Sequence, residues 1–84
     1  MVVDLSSINL NTLESRTRVI VSFGSYTFEM IKHANLIVLI PKHDVLSYKV
    51  LREIMNLFSI YKYQLINIDG FNGLNLVFTC KECD

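Results

Sequence analysis

The sequence predicts an α+β fold: a small mixed or antiparallel sheet of about five strands in the order β-β-β-α-β-β, one helix packed on one face, and an N-terminal arm. Three observations lead there. Residues 17–32 alternate around a two-residue glycine turn, residues 45–60 repeat apolar side chains at helical spacing, and short β-patterned runs stand on both sides of that helix.

Residues 1–15 form the least regular stretch. Leu5, Ile8, Leu10 and Leu13 are separated by serines, asparagines and a threonine. Four such side chains are wasted in water, so the expected structure is an ordered arm laid on the core.

Residues 17–32 are a β-hairpin. Gly24-Ser25 has the glycine-first pattern whose backbone twist matches that of paired strands. That turn sets Phe23 opposite Tyr26, Val21 opposite Phe28 and Val19 opposite Met30, all on one face. Arg18 with Ile31, Ile20 with Glu29, and Ser22 with Thr27 fall on the other.

A bend at residues 32–35 leads to Leu36–Ile40, an unbroken apolar run read as a central strand buried on both faces and ended by Pro41. Asp44 is the expected N-cap of the helix. Leu46, Val50, Leu51, Ile54, Leu57 and Phe58 make its apolar stripe. Residues 62–68 and 74–80 are two further strands. With Ile68 opposite Leu74, one face holds Ile66, Ile68, Leu74, Leu76 and Phe78, and the other holds Tyr63, Leu65 and Val77.

Composition bounds the function classes. The chain has 84 residues, 51% hydrophobic and 19% charged, with eight basic side chains cancelling eight acidic ones. That is a single compact domain, 1–84, with residues 1–15 as its arm and no length for a second core. It is too apolar for intrinsic disorder and too balanced for a polybasic or acidic tail. No run approaches the roughly twenty apolar residues of a bilayer span. Asp4 stands where a secretory signal carries basic residues, and no apolar segment follows it, so the expected compartment is the cytoplasm. One alanine against nine isoleucines and seven asparagines suggests an AT-rich coding genome, such as that of a virus, plasmid or low-GC microbe.

A single helix covers one face of such a sheet. The other face would then carry Ile20, Ile31, one side of the 36–40 strand, Tyr63, Leu65 and Val77, interleaved with polar residues. That mixture resembles a partner surface. The expected occupant is a second copy of the chain, because isologous dimers are the commonest oligomers. The competing expectations are that the arm folds over this face, or that it is an ordinary solvated surface. Phe71, an aromatic in the 69–73 loop, is a further candidate contact.

Other candidate chemistry is thinner. Cys80 and Cys83 form a C-x-x-C, half of a tetrahedral zinc site, for which His33 or His43 would have to supply the rest, within the chain or across a dimer. As a close pair near one terminus they are no disulfide framework, and a reduced setting fits them. His43-Asp44 pairs an imidazole with a carboxylate, but no further group completes a catalytic set, and a helix cap beside a solvated histidine accounts for both. Arg16, Arg18, Tyr61, Lys62 and Tyr63 combine cations with aromatics in the way single-stranded nucleic acid is held, although neighbouring glutamates dilute the charge. No phosphate-binding glycine loop, metalloprotease helix motif or serine elbow is present.

The expected function is therefore a non-enzymatic protein-interaction or regulatory module that self-associates through an open sheet face or edge strand. A small nucleic-acid-binding protein using Arg16, Arg18 and Lys62 with the flanking tyrosines is the alternative. A zinc-clasped dimer through Cys80 and Cys83 is a third possibility.

Overall fold

The computed structural model describes residues 2–42, 46–69 and 75–81. The strands are β1 (Val2–Asp4), β2 (Arg18–Phe23), β3 (Tyr26–His33), β4 (Leu36–Pro41), β5 (Tyr63–Asp69) and β6 (Asn75–Cys80), and the helix α1 is Tyr48–Ile60. They build one open six-stranded sheet in the order β1-β2-β3-β4-β6-β5. The α+β reading holds. β1, part of the expected arm, adds an edge strand parallel to β2, and every other pairing is antiparallel.

The β2–β3 hairpin has the register expected of it, from Arg18–Ile31 through Phe23–Tyr26. Gly24 has φ 61°, the left-handed value that a glycine-first turn needs. The next turn is as tight. β3 runs on through His33, which pairs with Leu36 across Ala34-Asn35. Ala34, the only alanine, takes φ 52° there.

The arm is wound rather than extended. Asp4 accepts hydrogen bonds from the Ser6 amide at 3.0 Å and the Ser6 hydroxyl at 2.8 Å. The Asn9 side chain accepts from the Asn11 amide at 3.0 Å. Each polar spacer starts a 3₁₀ turn, Leu5–Ser7 and Leu10–Thr12, as short polar side chains do when they bond the backbone two residues on. The turns bury Leu5 and Leu10 in the same core cluster as Ile54 and Phe58 of α1. The arm therefore shares the helix's side of the sheet. The alternative in which it covers the opposite face is overturned.

The helix begins at Tyr48, one residue after its cap. Ser47 Oγ accepts from the Val50 amide at 3.3 Å, so Ser47 is the N-cap in place of Asp44, which lies outside the described residues. The apolar stripe is as expected: Ile54 and Phe58 are fully buried, and Leu46, Val50, Leu51 and Leu57 pack around them. Phe58 stacks on Phe78 with ring centroids 4.1 Å apart and meets Tyr63 edge-on at 6.2 Å. The helix ends at Ile60 with Tyr61 as its C-cap, and Lys62 follows with φ 68°, its amide donating to the Ser59 carbonyl at 3.0 Å. That is a left-handed C-terminal cap made without glycine.

The β5–β6 register departs from the expected one. Ile68 pairs with Leu76, not Leu74, and the register slips again between Leu65 and Asn67, around a bulge at Ile66. One extra residue reverses the alternation. Tyr63 and Leu65 consequently stand with Cys80 and Phe78 on the helix side. Tyr63 is 5% exposed and belongs to the core.

Candidate functional site

The face away from α1 is organised in rows across the strands. One row runs Arg18, Ile31, Val38, Val77, Asn67, and the next runs Val2, Ile20, Glu29, Ile40. Ile20, Ile31, Val38, Ile40 and Val77 are half-buried by their sheet neighbours, and Val2 is exposed. None joins the core cluster, and no described segment packs over them. The expectation that Leu36–Ile40 is buried on both faces fails for this reason. β4 is central, but only Ile37 and Leu39, which point toward the helix, are fully buried.

Arg18 Nε and Glu29 Oε2 are 3.0 Å apart across adjacent rows of this face. With Arg18 two-thirds exposed, the pair adds little stability; Glu29 itself stands within the second row, between Ile20 and Ile40.

Of the residues expected to form the interface, Ile20, Ile31 and Val77 share this face. Tyr63 and Leu65 do not, because of the bulge. Phe71 lies outside the described residues. Val38 and Ile40 complete the patch; they were legible only as one side of an apolar run.

The nucleic-acid candidates are divided. Arg16 starts the turn into β2, and its amide donates to the Lys32 carbonyl at 2.7 Å. Lys81, following β6, donates its amide to the Lys62 carbonyl at 2.7 Å, and the Cys80 amide donates to the Asn35 carbonyl at 3.0 Å. Arg16, Arg18, Lys32, Lys62 and Lys81 thus gather at one end of the sheet. The tyrosines do not join them as stacking platforms. Tyr63 is buried, its hydroxyl pKa raised above the usual 10.0 by desolvation, and Tyr61 packs on the core.

Cys80 is buried and disulfide-bonded, which differs from the reduced thiols expected. In that state its sulfur is not the thiolate that zinc binds. Cys83, His43 and Asp44 lie outside the described residues. Among the described residues, no three His, Cys, Asp or Glu side chains converge on a possible metal position, and no helix is long and apolar enough to cross a membrane.

A groove of about 570 Å³ lies between the C-terminal half of α1 and the start of β5. Met55, Asn56 and Ser59 line it from the helix and Tyr63, Gln64 and Leu65 from the strand, together with Lys62 and Lys81. Neither Met55 nor Lys81 stood out in the sequence. β5 becomes an edge strand only because β6 inserts between it and β4, which local pattern does not reveal.

No protein-family model, curated protein or solved structure matches this chain.

Proposed function

We propose that this protein is a small, non-enzymatic interaction module, regulatory or accessory in role, that works as a homodimer joined through the open face of its sheet. The supporting observation is the contiguous set Ile20, Ile31, Val38, Ile40 and Val77, left without cover by both the helix and the arm. Six strands about 4.8 Å apart and about six residues long give a face of roughly 29 by 20 Å, so apposing two copies removes on the order of 1,100 Å² from water, near the lower limit of specific interfaces. A zero formal net charge adds no long-range repulsion between copies. Glu29 lies inside the patch, between Ile20 and Ile40, and its ion pair with Arg18 offsets the one carboxylate that an apposed copy would cover.

Sedimentation equilibrium at micromolar concentration tests this. The expected mass is twice the 9.7 kDa of the chain. Val38→Lys, at the centre of the patch, should return the mass to that of a monomer while the circular dichroism spectrum stays unchanged. A wild-type monomer at these concentrations overturns the proposal.

A further inference from the structure

The edge strand β5 and the groove beside it form a second surface, remote in character from the open face. Lys62 turns its carbonyl inward to the Lys81 amide. Ladder bonds in an antiparallel pair involve every second residue, so Tyr63 and Leu65 turn their own N–H and C=O groups to the free edge. Among the described residues, no backbone hydrogen bond from another element reaches either of them. The opposite edge of the sheet, β1, has only three residues, whereas β5 has seven. Such a row of unpaired backbone groups is a template for another strand. The bulge at Ile66 interrupts it, but the stretch ahead of the bulge is regular. Ile66 and Ile68 are 52% and 45% exposed and add apolar contact along the same strand.

The groove gives this edge its specificity. Its 570 Å³ falls within the roughly 300–1,000 Å³ of ligand clefts. Met55 and Leu65 provide apolar lining and Asn56 a side-chain amide. Among the described residues, Lys62 and Lys81 are its charged side chains, no carboxylate lines it, and neither lysine has an ion-pair partner. We propose that this edge takes up an extended acidic peptide segment of a partner protein. The segment adds as a strand beside Tyr63–Leu65 by main-chain hydrogen bonds, seats an apolar side chain in the groove, and places carboxylates against Lys62 and Lys81. This proposal uses a different surface from the dimer and can fail independently of it.

Fluorescence anisotropy with the full chain and labelled peptides of about ten residues tests it. An alternating Val-Glu peptide should bind saturably and about tenfold or more tighter than its Val-Lys counterpart, as charge complementarity requires. N-methylation of alternate amides in the Val-Glu peptide should weaken it by about tenfold or more, because it removes strand pairing and leaves the charge intact. The double variant Lys62→Asn, Lys81→Gln should weaken it by about tenfold. Asparagine tolerates the left-handed backbone at position 62, so the fold is preserved. Amide chemical shifts of Tyr63 and Leu65 should move on titration. Absence of saturable binding, or equal binding of the acidic and basic peptides, overturns the proposal. So does displacement of the Val-Glu peptide by sub-stoichiometric oligothymidylate, which would assign the lysines to nucleic acid. Loss of a wild-type dimer in the double variant would make a second copy the occupant and overturn it as well.

Discussion

The amide of Lys81 donates to the carbonyl of Lys62 at 2.7 Å, and this single bond ties the end of β6 to the turn between α1 and β5. It brings together two cations that are far apart in sequence, at the groove and at the basic end of the sheet. Among the described residues the groove thereby carries charge of one sign in a chain whose charges sum to zero, and that gives it a preference for an anionic partner.

The stack of Phe58 on Phe78 is the joint between helix and sheet. Phe58→Ala should destabilise the fold by about 3–5 kcal/mol, because it removes a fully buried ring and its contacts with Phe78 and Tyr63. For a domain this small that approaches the total stability. Phe58→Leu, expected to cost about half as much, keeps the measurement in range of urea titration.

The arm is a structural part of the domain. Leu10 is 1% exposed and packs in the same cluster as Phe58. Leu10→Ala should cost about 2–4 kcal/mol in chemical denaturation, against less than about 0.5 kcal/mol for an exposed arm residue such as Asn11→Ala. A near-zero effect at Leu10 would show that the arm is not docked.

Ala34 is held at φ 52°, where a Cβ costs about 1–2 kcal/mol. Ala34→Gly removes that cost and gives back part of it as backbone entropy in the unfolded chain. The expected net result is a gain of about 0.5–1 kcal/mol, read as a rise in the urea midpoint at constant slope.

Ser47→Ala removes the side-chain acceptor for the Val50 amide and should destabilise by about 1 kcal/mol. Ser47→Asp should retain the cap, so the pair of variants separates loss of the hydrogen bond from loss of the serine.

Burial raises the Tyr63 pKa above 10.0 in the folded protein. The unfolded chain then loses the proton first as pH rises, so stability is full below pH 10 and falls as pH climbs toward the folded value. Tyr63→Phe should reduce the steepness of this alkaline loss, visible when the urea midpoints of the two proteins are compared between neutral and alkaline pH.

Where local chemistry sets geometry, the fold was legible. Gly24-Ser25 sets the β2–β3 register because only two residues bridge the strands. The stripe from Leu46 to Phe58 marks the buried side of α1 because a helix repeats every 3.6 residues. The open face was legible in the same way at Ile20 and Ile31, which share the hairpin's register. It was misread at Tyr63 and Leu65, because the extra residue at Ile66 leaves no periodic trace and reverses every side chain before it. The arm's serines and asparagines looked like irregular spacers. They are turn-formers whose hydrogen bonds aim Leu5 and Leu10 at the core.

The sequence by itself determined the β2–β3 hairpin and the helix α1 and the side of each that avoids water, since both follow from turn chemistry and hydrophobic period within a few residues. It also determined that the apolar surface exceeds what one helix can cover. The tertiary structure alone decided which face the arm takes, that β6 lies between β4 and β5, and hence that β5 is an edge. These depend on pairings between distant residues, and many registers satisfy the same alternation. The meeting of Lys62 with Lys81 is of that second kind: neither residue's neighbours in the chain specify it, and only the closed ladder between β5 and β6 brings the two charges to one groove.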